Sequence, residues 1–214
     1  MADTLSLRAK IEKSPMGAYQ WMIVAMAAIM NLLDGFDVLA LAFTATAIRG
    51  EFGLTGIELG YLLSAGLFGM TAGSLFLAPL ADKIGRRPLL LMAVSLSAIG
   101  MLGSAFISQY QWLGFWRVIT GLGVGGILVG TNVITSEYSS RKWRSFAISV
   151  YAAGFGIGAV LGGMFAVMLQ GEYGWRSVFL AGAILTGLFL VILFIWLPES
   201  IDFLTTKQPK NAEV

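Results

Sequence analysis

The residues that most need a chemical explanation are Asp34 and Asp37, in the stretch Asn31-Leu-Leu-Asp34-Gly-Phe-Asp37-Val-Leu-Ala. Uncharged, mostly apolar residues run from Gln20 to Leu33 before them and from Val38 to Ile48 after them. Neither flank alone comfortably reaches the ~20 residues that cross a bilayer, but together they do. The two carboxylates then fall near mid-membrane on one helical face. An acidic residue at that depth costs ~2.5–3.5 kcal/mol on insertion scales, so a pair of them marks an ion or substrate pathway facing the bundle interior. A carboxylate taken partly out of water favours its neutral form, and a second carboxylate close by pushes the same way. Both aspartates are therefore suited to carrying a proton. The sequence contains no His and no Cys, which removes His relays, thiolate chemistry, disulfides and zinc sites. It shows no nucleophile constellation, phosphate-binding loop or metal cluster. The chain reads as a non-enzyme with no cofactor, protons being the coupling ion. Two plainer readings compete. Asp34-Gly35 is also a turn signal, and a break there would leave Leu39 to Ile48 as an apolar loop. A signal peptide cleaved near Ala40-Leu-Ala42 would need an uninterrupted, shorter apolar region and no further spans.

The elements that must position these carboxylates follow from composition and hydropathy. Hydrophobic residues make up 57% of the 214 and charged residues only 12%, a balance that leaves too little polar surface to cover a soluble domain. The expected architecture is all-α, with six transmembrane helices. Residues 1–19 form a polar lead-in with Arg8, Lys10 and Lys13, read as an interfacial helix, and residues 20–197 form the membrane domain. Its spans are expected over 20–46, 57–79, 89–107, 112–135, 146–169 and 178–197. Arg49 to Gly56 and Gln170 to Arg176 are read as loops on one side. On the other lie a basic turn at 82–88 and a basic loop from Glu137 to Arg144, with a polar tail over 198–214. The 27 glycines fit closely packed membrane helices. Lys and Arg divide unevenly: Arg8, Lys10, Lys13, Lys83, Arg86, Arg87, Arg141, Lys142, Arg144, Lys207 and Lys210 share one side, against Arg49 and Arg176 on the other. That bias places both termini in the cytoplasm. The net charge of +2 gives no reason to expect nucleic-acid binding.

Several motifs carry a family resemblance. Ala78-Pro-Leu-Ala-Asp82-Lys83-Ile-Gly85-Arg86-Arg87-Pro88 resembles the loop between the second and third helices of the major facilitator superfamily, with Ala78 where that family usually has Gly. Gly85 permits a tight turn, Asp82 caps or pairs, and the arginines bond neighbouring helix ends to fix one gating state. Without the resemblance, the turn is simply the basic loop that any cytoplasmic side would carry. Arg117-Val-Ile-Thr-Gly121-Leu-Gly123-Val-Gly125-Gly126 is similar to the family's fourth-helix element. From its position alone, Arg117 either snorkels outward or points into a cavity. Glu137-Tyr-Ser-Ser-Arg141-Lys-Trp-Arg144 resembles the loop after that helix, with Ser140 and Ser145 replacing the usual Pro and Gly. Glu137 with Arg86 and Arg144 would make a cytoplasmic charge cluster that breaks when the inner gate opens. Gly154 to Gly163 has small residues at four-residue spacing, which suits close helix packing. Gly174-Trp175-Arg176 and Pro198-Glu199-Ser200 match habits of the superfamily's organic-anion and sugar branches, although Asp202 stands where Arg is common.

Within the superfamily, Asp34-Gly-Phe-Asp37 resembles the signature of the aromatic acid:proton symporters. The resemblance implies a fold equivalent to one six-helix half, itself a 3+3 inverted repeat. It implies secondary active uptake of a small organic anion, an aromatic carboxylate, with protons. Asp34 and Asp37 would serve coupling and Arg117 would hold the anion. The expected setting is the lipid bilayer of a bacterial inner membrane, with a second six-helix half or a second copy as partner. A lone half would expose Asp34 and Asp37 to lipid unless something covers them. A proton-driven exporter of lipophilic cations and a non-transporting half remain alternatives.

Overall fold

The computed structural model describes residues 15–207. It is built from helices α1 (Ala18–Phe52), α2 (Gly56–Ile84), α3 (Arg86–Ala105), α4 (Tyr110–Tyr138), α5 (Arg144–Tyr173), α6 (Arg176–Trp196) and α7 (Ile201–Lys207). Among the described residues, the first six are long and apolar enough to cross a membrane. Most of the lead-in read as an interfacial helix, with Arg8, Lys10 and Lys13, lies outside the described residues. So does Lys210.

The helices are longer than the hydropathy windows, because polar ends continue the hydrogen-bond ladder beyond the apolar stretch. α1 runs unbroken through Asp34-Gly35, so neither the turn nor the apolar loop forms. Gly35 instead lets α1 approach α5, where an added Cβ would meet the Phe155 carbonyl. The expected loop from Arg49 to Gly56 is also corrected. α1 reaches Phe52 and ends on Gly53 in the left-handed region (φ 64°), a conformation that favours glycine. Thr55 and Glu58 then start α2 with a capping box, Thr55 N donating to Glu58 Oε2 at 2.8 Å. The basic turn expected over 82–88 contracts to the single residue Gly85 (φ 100°).

α1, α3 and α4 are the most buried spans, with α2, α5 and α6 around them. Glycines set the two closest helix contacts. Gly154 and Gly158 lie on the backbone of α1 at Ala28 and Leu32, while Gly69 and Gly73 lie on that of α4 at Val118 and Leu122. The partners rise in step, so α1 is parallel to α5 and α2 to α4. Exchanging the first three helices for the second three maps one pair onto the other, as a 3+3 inverted repeat requires.

Two apolar clusters fill the bundle. One, near the ends of α1 and α6 that carry Ile48 and Trp175, includes Phe36, Leu41, Met101, Leu113 and Phe179. The other, toward the basic turns, includes Ile23, Met30, Leu90, Ile127, Tyr151 and Leu193. Large apolar side chains such as Phe68, Phe76, Met164 and Met168 line the exposed faces of α2 and α5.

These contacts give a stability test. Gly158→Val forces a side chain onto the Leu32 carbonyl, and overpacking of this kind costs ~1–3 kcal/mol or more. Gly156→Ala, with nothing within 4 Å of the added carbon, is the neutral control. Thermal unfolding in detergent should show a lowered midpoint for Gly158→Val and little change for Gly156→Ala.

Candidate functional site

Asp34 and Asp37 are 2% and 1% exposed, so the bundle of this one chain encloses both. The expectation that a lone half would leave them facing lipid is overturned. Residues 34 and 37 lie on the side of α1 that turns inward, and the neighbouring helices cover them. Ser97 on α3 donates to Asp37 Oδ2 at 2.7 Å. Gly182 on α6 leaves room beside Asp37 Oδ1, 3.3 Å from where a Cβ would stand. Among the described residues, Asp34 Oδ2 and Asp37 Oδ1 have no hydrogen-bond partner.

Arg117 does not snorkel. It is 3% exposed and turns into the bundle, where Nη2 donates to the Asp37 carbonyl at 2.7 Å. Nη1 lies 3.4 Å from Met101 Sδ, and the guanidinium carbon stands 5.9 Å from the Phe179 ring centroid. Nε has no partner among the described residues. The edge formed by Nε and Nη2 faces α2 at Gly66, where an added Cβ would lie 3.8 Å from each nitrogen. This edge borders a cleft of ≈ 20 Å³ between α1, α2 and α4, lined also by Val38, Leu63, Met70 and Thr120. A guanidinium edge with two N–H groups matches a carboxylate. Spacing could not show that Ser97, Met101, Gly66 and Phe179 complete the site, since three other helices contribute them.

At the basic end, Arg86 pairs with Asp82 at 3.1 Å, and its Nε stands 3.9 Å from Glu137 Oε1. Arg87 Nη2 donates to the Phe194 carbonyl at 2.7 Å. Gly85, Arg86, Arg87, Asp82 and Glu137 are thus brought together, and Arg144 opens α5 beyond the turn at 141–143. Glu199 joins them and was not singled out for a site, although Pro198-Glu199-Ser200 was its signal. Its Oε1 accepts from Arg86 N at 2.7 Å and Arg87 N at 3.1 Å, capping α3. A side chain at Gly85 would collide with this carboxylate. Glu137 Oε2 in turn accepts from Ser200 Oγ at 2.7 Å and Ile201 N at 3.0 Å, tying α4 to the start of α7.

The opposite end has a lock of its own. Arg176 Nη1 and Nη2 bind Glu51 at 2.9 and 2.7 Å, and Trp175 Nε1 donates to the same carboxylate at 2.6 Å. Arg176 also donates to the Ile107 carbonyl at 3.1 Å. The end of α1, the α3–α4 connection and the start of α6 are held at one point.

The described residues thus place a buried cation and two buried carboxylates among six membrane-length helices. Residues 27–212 match the family model described as Major Facilitator Superfamily, and the chain belongs to that family, one of transporters and not enzymes. A protein named gallate transporter from Pseudomonas putida is 35% identical over 95% of this chain and 45% of its own length. One named 4-hydroxybenzoate transporter PcaK, from the same species, is 34% identical over 97% of this chain and 46% of its own. The chain spans about half the length of the curated relatives it matches, their N-terminal half. A solved structure of the proton:xylose symporter XylE shares the fold, with a TM-score of 0.84 at 22% identity, over 92% of this chain and 49% of that one.

The cap on α3 is directly testable. Glu199→Ala removes the acceptor for the two α3 backbone donors, Arg86 N and Arg87 N, and should cost ~1 kcal/mol locally. Hydrogen exchange at the Arg86 and Arg87 amides should speed up, with amides in the middle of α3 unchanged.

Proposed function

We propose that the chain is the first half of a proton-coupled symporter for a small organic anion, an aromatic carboxylate. It would work by alternating access with a second six-helix half or a second copy. The observation that carries the reading is the enclosure of Asp34, Asp37 and Arg117 in one apolar bundle, with an edge of Arg117 turned to a cleft. The relatives named as gallate and 4-hydroxybenzoate transporters support the substrate class.

In this mechanism a proton arrives on the carboxylate pair first. With both aspartates charged, the centre of the bundle is negative and repels an anion. Neutralising one carboxylate brings the three charges to net zero and removes that repulsion, and the substrate carboxylate docks on the Nε/Nη2 edge of Arg117. The cleft itself has room for about one water, so the aromatic body would lie outside it, against the exposed Leu63 and Leu67 of α2. After reorientation, loss of the proton restores the negative charge and expels the anion. The bacterial relatives support an inner membrane as the setting, and the positive-inside bias supports a cytoplasmic position for the basic end. There Asp82, Gly85, Arg86, Arg87, Glu137 and Arg144 serve as the inner gate, with Glu199 as a further member. Opening that end requires the contacts of Glu137 and Glu199 with α3 and α7 to part.

The test is uptake of labelled 4-hydroxybenzoate into proteoliposomes holding the chain with a matching C-terminal half, with the outside acidified. Asp37→Asn should lower uptake by on the order of 10-fold or more, since a charge that must be gained and lost is gone. Gly66→Leu, which covers the guanidinium edge, should raise KM by about 10-fold, because blocking a charged hydrogen bond to a carboxylate costs at least ~1.4 kcal/mol. Uptake indifferent to acidification and to Asp37→Asn, or net export of a lipophilic cation, would overturn the reading.

A further inference from the structure

Thr131 and Thr135 on α4, and Ser139 at the cap that ends it, stand at four-residue spacing, all fully buried. The spacing sets the three hydroxyls in one row, ~12 Å long at the helical rise per residue. The row descends from the interior to the basic turn, where Arg141, Lys142 and Trp143 are exposed. Its inner end meets α5: Thr131 Oγ1 and Tyr151 Oη lie 3.1 Å apart. Thr131 also donates to the Ile127 carbonyl at 2.6 Å. A threonine hydroxyl has one proton to give, so it serves the Ile127 carbonyl and Tyr151 Oη in turn, and the pair can pass a proton either way.

Asn31 stands one turn below Asp34 on α1, on the side of that helix that meets Tyr151 on α5. The Asn31 amide nitrogen donates to the Tyr151 carbonyl at 2.8 Å. Asn31 Oδ1, Asp34 Oδ2 and Thr135 Oγ1 are buried without a hydrogen-bond partner among the described residues. Back-bonding to the preceding turn explains a lone hydroxyl in a membrane helix, and it accounts for Thr131 and for Ser139, which donates to the Thr135 carbonyl at 2.6 Å. It leaves Tyr151 and the unpartnered oxygens of Asn31, Asp34 and Thr135 without a role.

We infer that Tyr151, Thr131, Thr135 and Ser139 form a proton exit that leads from Asp34 to the basic end of the bundle. This rests on the proton-coupled reading above and says where the proton goes. Hydroxyls four residues apart are ~6 Å from one another along the helix, so the exit requires bridging waters, for which Asn31 Oδ1 and Thr135 Oγ1 are the unpartnered buried oxygens. The Asp34 carboxyl gives its proton to the first water. That water passes a proton to Tyr151 Oη as Tyr151 gives its own to Thr131, and the shift repeats to Ser139 and bulk water. Each hydroxyl loses one proton and gains one, and the net change is one proton lost from the Asp34–Asp37 pair by way of Asp34.

The test compares two assays in the same proteoliposomes. Accumulation of 4-hydroxybenzoate driven by a pH gradient needs the proton to leave on every cycle. Counterflow exchange at equal pH on both sides does not. Tyr151→Phe and the near-isosteric Thr135→Val should each slow accumulation by on the order of 10-fold and keep counterflow within about twofold. If both assays fall together, these residues are structural and the exit is wrong. If neither changes, the proton leaves elsewhere. Wild-type counterflow without gradient-driven uptake would instead sink the proton-coupled reading itself, and wild-type silence in both assays would sink the transport reading.

Discussion

The donation from Arg117 to the backbone carbonyl of Asp37 is the contact on which the rest of the molecule depends. A guanidinium buried in an apolar bundle carries a desolvation penalty of several kcal/mol, and it holds there only where polar partners surround it. Here those partners come from other helices: the α1 carbonyls, the Asp37 charge, the Met101 sulfur and the Phe179 face. They meet only if α1, α3, α4 and α6 come close together. The glycines provide that closeness, with Gly100 and Gly123 at the α3–α4 contact and Gly182 beside Asp37. Packing and charge placement are therefore one problem. A bulkier residue at Gly100 or Gly123 meets backbone and pushes α3 from α4, while one at Gly182 displaces the Met101 side chain, itself a partner of the buried charge.

The ends of the bundle are held by different chemistry. At one end a single bidentate ion pair, Glu51 with Arg176, is backed by Trp175 and the Ile107 carbonyl. At the basic end, two glutamates accept from backbone amides at the starts of α3 and α7. Hydrogen bonds to an ionised carboxylate are worth ~1.5–3 kcal/mol each, so the latch at the basic end is divided among several modest contacts. Such a latch can open stepwise, which suits the end assigned to the inner gate.

Much of this was legible in the sequence because membrane chemistry is unforgiving. The six spans follow from hydropathy, and the turn at Gly85 from the motif around it. The importance of Asp34 and Asp37 follows from the cost of acids at mid-membrane. Their enclosure was not legible. A carboxylate at a given height on α1 can face lipid, a cavity or a neighbour, and only the rotation of the helix against α3 and α6 decides. Arg117 posed the same problem, since snorkelling and insertion use the same residue at the same depth. Helix ends were misread wherever polar residues continue a helix, as from Arg49 to Phe52. Glu199 lay in a recognised motif, but its partners are amides more than a hundred residues away in the chain, and no local spacing encodes them.

The central claim is that the anion and a proton bind together at the Asp34, Asp37 and Arg117 cluster. Calorimetric titration of 4-hydroxybenzoate into the chain with its matching half, in two buffers of different ionisation enthalpy, counts the protons taken up on binding. The account expects uptake of about one proton per anion near neutral pH, abolished in Asp37→Asn. Binding that takes up no proton, or takes up the same number in Asp37→Asn, would contradict it.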